Sequence, residues 1–329
     1  MIISGKDIVF ASKLIKEGKL VAFPTETVYG LGANGLNAEA VARIFEVKKR
    51  PFFDPVILHI AKIDDLNRVF KSPVSQLIMK LAKKYWPGPL TIVAPKQDTI
   101  PDIVTSGLTT VAVRMPDNQM ALKLIRLAGV PVAAPSANLF GKLSPTTPDH
   151  VKKQLSNIDY LLDGGQTKVG IESTIISVID NTIEILRSGI ITSDQLTTDF
   201  PEAKLILNNE SDNIKAPGQM KIHYSPNKPL FLINKLPEEL PVNIGVLLFN
   251  SIQIPKNSSC KIIYLSKKGD LIEAASNLFS ALHKLENDQT IETIYAFKVN
   301  EEGVGQAIMD KLYKASYKYA NDGGLPDTC

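Results

Sequence analysis

The densest chemistry in the sequence lies between Lys48 and His59, which reads Lys-Lys-Arg-Pro-Phe-Phe-Asp-Pro-Val-Ile-Leu-His. The stretch holds three cations, the carboxylate of Asp54 and the imidazole of His59. Lys48 and Arg50 stand two apart, and in extended chain such residues share a side, so both could meet one anion. Pro51 pushes Arg50 toward the extended region. Lysine supplies a point charge and arginine a two-pronged donor, a division of labour suited to a polyphosphate. Basic residues at a helix C-terminus would equally complement the helix dipole. A second polar stretch, Pro24-Thr25-Glu26-Thr27-Val28-Tyr29-Gly30-Leu31-Gly32, sets hydroxyls and a carboxylate beside two glycines. It reads as a polar loop with close backbone approach, or as a plain strand-to-helix connection capped by Thr25 or Thr27. A third, Pro135-Ser136-Ala137-Asn138 through Lys142 and Ser144, offers hydroxyls, an amide and a lysine. Arg114, exposed at a strand end, could hold a carboxylate. Arg187, before Ser188 and Gly189, could contact phosphate or simply flank a turn.

These residues need elements to position them. Hydrophobic periodicity predicts a helix over Ala38–Val47, stopped by Pro51, and a short buried strand over Val56–Ile60. Further helices are expected at Asp7–Glu17, Ser75–Lys84 and Asn118–Leu127, and Ser193–Phe200 completes this half of the chain. Strands are expected at Leu20–Phe23, Leu90–Ala94, Thr110–Met115, Val130–Ala134 and Tyr160–Leu162. Residues from Glu172 pair with Ile183–Leu186 in a hairpin. The polar clusters at Thr25–Thr27, Arg114 and Ser136 with Asn138 each follow a strand. In open α/β sheets, ligands bind beyond the carboxyl ends of strands, so a shared site is expected there. Neither a Gly-rich Walker loop nor a G-x-G-x-x-G motif is present. Trp86, before Pro87-Gly88-Pro89, reads as a core anchor.

Composition shifts near residue 207. Leu207–Lys228 reads as an interdomain linker, although His223 and Tyr224 are unusual in a passive tether. Beyond it, strands at Leu230–Ile233, Ile244–Phe249, Lys261–Leu265 and Thr293–Phe297 alternate with helices at Leu271–Leu285 and Gly305–Ala320. That pattern predicts a small, mostly parallel α/β unit without a dense polar cluster at its strand ends. The expected division is therefore a domain over 1–206, a linker or lid over 207–228 and a second domain over 229–329, with the tail Asn321–Cys329 loose.

The bulk numbers exclude several classes. A chain of 329 residues is long enough for two cores, and 44% hydrophobic with 22% charged residues is ordinary for a globular protein. A net charge of +3 argues against strong nonspecific nucleic-acid binding while permitting a local basic groove. Cys260 and Cys329 make neither a disulfide framework nor a metal site. The N-terminus meets charge too early for a signal peptide, and no apolar run approaches the ~20 residues that span a bilayer. A cytoplasmic protein is expected.

Taken together and in this order, Pro24–Gly32, Lys48-x-Arg50 through His59, Pro135–Asn138, Glu172-Ser173-Thr174 and His223-Tyr224 resemble the L-threonylcarbamoyladenylate synthases. These are YrdC-like enzymes, here in the long form with an extra C-terminal domain. The resemblance implies an α/β fold: a large, twisted, mixed sheet with α+β character, then a smaller Rossmann-like domain. It implies that L-threonine, bicarbonate or CO2, and ATP with its Mg2+ give threonylcarbamoyl-AMP and diphosphate. No tight cofactor or dedicated metal site is implied. A downstream threonylcarbamoyl-transferase complex would then modify tRNAs that read A-starting codons, so contact of this chain with tRNA would be indirect. By the same resemblance Lys48, Arg50, Ser136 and Asn138 serve the reacting centre. Asp54, Thr110, Ser144, Arg187 and Tyr224 join Lys48 and Ser136 around ATP. Thr25, His59, Arg114, Ala134 and Ser173 hold threonine. The alternative reading is a double-stranded-RNA or tRNA binding module without catalysis, which needs cations over an RNA-sized footprint.

Overall fold

The computed structural model describes residues 2–207, 216–220, 223–235, 243–251 and 260–320. Residues 208–215 and 221–222 of the expected linker, and the expected loose tail Asn321–Cys329, lie outside the described residues. Among the described residues there are fifteen β-strands and ten α-helices. The strands are β1 (Ser4–Gly5), β2 (Val21–Pro24), β3 (Tyr29–Asn34), β4 (Ile57–His59), β5 (Leu90–Pro95), β6 (Thr110–Arg114), β7 (Val132–Ala133) and β8 (Tyr160–Leu162). They continue as β9 (Thr174–Ile179), β10 (Thr182–Arg187), β11 (Lys204–Leu207), β12 (Leu230–Ile233), β13 (Ile244–Leu248), β14 (Lys261–Tyr264) and β15 (Thr293–Phe297). The helices are α1 (Ile8–Lys16), α2 (Ala38–Lys48), α3 (Leu66–Val69), α4 (Gln76–Tyr85), α5 (Asp102–Thr105), α6 (Gln119–Ala128), α7 (Pro148–Gln154), α8 (Ser193–Asp199), α9 (Leu271–Asn287) and α10 (Val304–Ala320).

Local chemistry accounts for most helix starts. Asp7, Asn37, Ser75, Asn118, Thr147 and Asp270 each accept a backbone N–H at the head of their helix. Thr192 and Gln195 form a reciprocal capping box on α8. The stop of α2 differs from expectation. Lys48 is its last residue, and Lys49 takes the left-handed conformation at φ 53. Pro51 only follows a helix already ended.

Strands β1 to β11 form one mixed sheet in the order β1-β8-β2-β3-β7-β4-β6-β5-β9-β10-β11. β4 and β6 run parallel, with His59 opposite Arg114, while β7 runs antiparallel to β4. One face of this central region packs the main core, with Leu58, Ile92, Val113, Ala133 and Ile176. The alternate residues Ile57, Val93, Ala112 and Ile175 face the other way and gather Ala216 from beyond β11. Strands β12 to β15 form a second sheet, parallel throughout, in the order β12-β15-β13-β14. Its core includes Leu278, Phe279 and Leu282 of α9 and Ile308 and Leu312 of α10. It also takes in Val28, Leu143, Ile171 and Tyr224, so the two parts of the chain share apolar surface.

Candidate active site

The strand-end clusters converge as the sequence suggested, with Thr25 and Thr27, Arg114 and Ser136 lining one cavity, but the cavity lies over one face of the large sheet. The strand-end rule belongs to open parallel sheets. Here β7 runs against β4, so Ala134 and Ser136 leave from the end opposite His59 and bend back over the sheet. Strand alternation then sets Ile57, His59 and Arg114 on that face. Tyr29, Gly30, Pro135 and Ser136 close one side, with Gly30 bridged to Ser136. A side chain at Gly30 would press on Ala134, its Cβ at 3.2 Å. Glu172, Ser173 and Arg187 close the other side.

The cations are buried, not exposed as the sequence suggested. Lys48 is 1% accessible, Arg50 6%, Arg114 4% and Arg187 7%. Lys48 and Arg50 converge because the left-handed turn at Lys49 folds the chain back, not through strand alternation. Lys48 Nζ donates to the carbonyls of Ser136 at 2.6 Å and Asn138 at 2.5 Å, tying α2 to the loop after β7. Arg50 donates to the carbonyls of Asp54 and Pro55 and pairs with the Asp54 carboxylate at 2.9 Å. Arg187 donates to Ser173 O and to Pro217 O. Arg114 reaches Gly88 O, the Thr27 hydroxyl and the Glu26 carboxylate. Burial holds the Lys48 ammonium well below its usual pKa and Arg50 adds to this, while Asp54 and Glu172 oppose it. Burial pushes Asp54 up against the pull of Arg50 and Lys48. His59 is held neutral, pushed down to about 3 by burial and then by Arg114.

Thr25, Arg50, His59, Arg114, Ala134, Ser136, Ser173, Arg187 and Tyr224 line a shared cavity of about 40 Å³. Lys48, Asp54 and Ser144 do not line it but bond residues that do, Ser136, Arg50 and Glu172, and Asn138 shares Lys48 with Ser136. Asn138 turns its amide to Leu139 O and Lys142 O, and the Ser144 hydroxyl donates to Glu172. Thr110 is the exception. It opens β6, at the opposite end of that strand from Arg114, and does not line the cavity.

Linker residues fill the mouth. Pro217, Gly218, His223 and Tyr224 line the same cavity. Tyr224 is fully buried, has a left-handed φ of 58, and packs on Phe279 of α9 at 5.3 Å. His223 meets Phe140 edge to face, and Ser225 N donates to Gly141 O. From α10, Lys314 Nζ donates to Gly218 O at 2.7 Å and Lys311 Nζ to Ser188 O at 2.6 Å.

Comparison with known proteins decides the family. A family model described as "Telomere recombination" matches residues 13–189, and one described as "Threonylcarbamoyl-AMP synthase, C-terminal domain" matches residues 180–316. The threonylcarbamoyl-AMP synthase of Pyrococcus abyssi (strain GE5 / Orsay) is 41% identical over 321 residues, 93% of each chain. The chain belongs to the threonylcarbamoyl-AMP synthase family. The Bacillus subtilis (strain 168) synthase is 38% identical, across 93% of this chain and 92% of its own. The crystal structure of P. abyssi Sua5 complexed with L-threonine superposes with a TM-score of 0.86 at 38% identity, covering 96% and 98% of the two chains.

Within this synthase fold, several site residues carry no clear sequence signal. Thr91 does not line the cavity, but from inside β5 its hydroxyl meets that of Ser173 at 2.7 Å. Pro217 and Gly218 read as linker punctuation. Glu172 and His223 sit inside stretches the sequence did single out, yet neither was assigned a role. Glu26 stood in a named stretch as well, but its partnership with Arg114 spans two loops and is invisible locally.

Proposed function

We propose that the protein is a threonylcarbamoyl-AMP synthase, joining L-threonine, bicarbonate or CO2, and ATP with release of diphosphate. The observation that carries this reading is the shared cavity. One end offers Arg114, Thr25 and His59, suited to an amino acid. The other offers Arg50 and Arg187 with Lys48 behind, suited to a polyphosphate. Cations enclosed at a few per cent exposure fit a small molecule, whereas an RNA module presents them on its surface.

The carbamate of threonine is an anion, and so is the triphosphate it must attack. One carbamate oxygen bonds the α-phosphorus while the bond to the β-phosphate oxygen breaks, and diphosphate leaves with that electron pair. Cations along the path neutralise the approach and the leaving group. Lys48, Arg50 and Arg187 supply that charge in our reading, and Ser136 and Asn138 shape the reacting centre. Asp54, Ser144 and Tyr224 complete the nucleotide end, and Ala134 and Ser173 the threonine end. Mg2+ travels with ATP. Glu172 lines the cavity beside Tyr224, and its carboxylate is a hard oxygen donor that suits such an ion.

Pro217, Gly218, His223 and Tyr224 line the cavity, and Tyr224 is fully buried there. The described linker residues from Pro217 to Pro226 therefore act as a lid in this reading, withdrawing for ATP and closing afterwards. Closure would shield threonylcarbamoyl-AMP, a reactive mixed anhydride, from water. We assign 1–206 as the catalytic domain, 207–228 as linker and lid, and 229–329 as the domain that positions the lid. The product passes to a threonylcarbamoyl-transferase complex in the cytoplasm for tRNA modification.

The test is pyrophosphate release from ATP in bicarbonate buffer with each amino acid in turn. L-threonine should turn over, L-serine weakly and L-valine hardly at all, because a site that bonds a hydroxyl rejects analogues lacking it. Equal turnover of threonine and valine, or none with threonine, defeats the reading.

A further inference from the structure

We infer that Glu26 is the positioning residue that presents Arg114 to the carboxylate of the amino-acid substrate. This rests on the assignment of the Arg114 end of the cavity to the amino acid. Two parts of the chain, Gly88 and the adjacent Glu26 and Thr27, meet the three nitrogens of the Arg114 guanidinium, Nη2 through an ion pair. Nε donates to Gly88 O at 3.3 Å, Nη1 donates to Thr27 Oγ1 at 2.9 Å, and Nη2 lies 2.6 Å from Glu26 Oε1. Among the described residues, Glu26 is the one carboxylate paired with Arg114.

The loop after β2 makes this possible. Thr25, Thr27 and Val28 line the cavity and Glu26 does not, because the chain bends between the paired ends of β2 and β3, held by the Thr25 hydroxyl donating to Val28 O. Glu26 is 4% accessible and sits behind the guanidinium. Its own carbonyl accepts the amide of Val169 at 2.7 Å, fixing the loop to the segment that leads into Glu172 and Ser173. The Thr27 hydroxyl on Nη1 is in turn held by Thr25 Oγ1 at 2.9 Å. Glu26 thus compensates a charge that burial would otherwise leave unpaired, while Arg114 itself lines the cavity.

The pairing also separates the two ends electrostatically. Arg114 is matched by Glu26 before any substrate arrives, so a carboxylate is held there by directed contacts rather than by surplus charge. At the other end Arg50, Lys48 and Arg187 outnumber Asp54 and Glu172 by one, so a surplus cation remains where a polyphosphate needs it.

The experiment compares the unsubstituted protein with Glu26→Gln and Glu26→Ala. KM for L-threonine and for ATP come from pyrophosphate release. Calorimetry compares binding of L-threonine with L-threoninamide, which lacks the carboxylate charge. Glu26→Ala should raise KM for L-threonine and shrink the preference over the amide by about tenfold or more, the worth of one misplaced charge-assisted contact. KM for ATP should stay within about twofold, since a positioning role at one end leaves the other untouched. Glu26→Gln, equal in shape, should fall between and carries the test if the alanine variant does not fold. An unchanged threonine-to-amide preference in both variants, or equal rises in both KM values, overturns the assignment. The calorimetric ratio needs no turnover, so failure of the unsubstituted protein to release pyrophosphate would count against the synthase reading alone.

Discussion

The two sheets of this protein start from the same parts and end differently. Both carry parallel strand pairs with helices packed against them. The small sheet is parallel throughout, and residues just past its strands, such as Asn250 and Asn300, are exposed. The large sheet mixes directions. That mixture turns loops from opposite ends onto one face, where buried cations, hydroxyls and an imidazole meet. A parallel sheet collects its loops along an edge, and a mixed one can close them over a face. The small unit contributes through its helices instead, with Phe279 and Lys314 holding the linker against the large sheet.

Breaking the charged side of this contrast should have the largest effect. Lys48→Ala and Arg50→Ala should each lower pyrophosphate release about a hundredfold or more, from the ~2–4 kcal/mol of barrier that one enclosed donor supplies. Arg50→Ala should also lower stability by about 3–5 kcal/mol, because it strands the buried Asp54 carboxylate. Denaturant melts beside steady-state assays separate the two losses. A folded Lys48→Ala with normal turnover would show that burial of this lysine is structural only.

The linker comes next, since it joins the two regions. Tyr224→Ala should cost about 3–5 kcal/mol of stability, as expected for an emptied aromatic site, because the ring is buried in the core around α9. Tyr224→Phe keeps the ring and should cost under about 1.5 kcal/mol. If Tyr224→Ala melts like the unsubstituted protein, the ring is not packed between the two parts in solution.

Acid should weaken the fold through the imidazoles. His59 and His150 are both held neutral, pushed down to about 3, His59 by burial and then Arg114, His150 by burial and then His283. The unfolded chain binds protons that the folded chain refuses. Stability is therefore full above about pH 6.5 and falls as pH drops toward 3, by about 1.4 kcal/mol per pH unit for each such group. Chemical denaturation at a series of pH values should show this slope. His150→Gln, which removes one member of the imidazole pair stacked at 3.8 Å, should flatten it. A melt independent of pH over that range contradicts the neutral assignment.

The smallest effect sharpens the contrast from the other side. Asn250→Ala and Asn300→Ala, past the strands of the small sheet, should leave pyrophosphate release unchanged and stability within about 0.5 kcal/mol. A loss of turnover in either would place chemistry on the second sheet.

What the sequence determined by itself was local. Helices α1, α2, α4, α6, α9 and α10 were legible from periodicity, because it depends on neighbours within a few turns, whereas the caps Asp7, Asn37 and Asp270 emerged in the structure. Strands β2, β4, β5, β6 and β8 were legible from short apolar runs between breakers. The reacting residue types were visible for the same reason, since hydroxyls, cations and an imidazole gather in short stretches. Tertiary structure decided the rest. Pro24–Gly32 read as a loop, yet from Tyr29 the chain is strand β3, because its partners are β2 and the distant β7. Arg114 read as exposed until Glu26 and Thr27, far away in sequence, covered it. Lys48 and Arg50 meet through a left-handed turn at Lys49 that periodicity does not encode. Thr110 shares a strand with Arg114 but lies at its far end, so membership of a shared element did not mean membership of the cavity. Burial, pairing and facing depend on which distant strands become neighbours, and no window of consecutive residues contains that information.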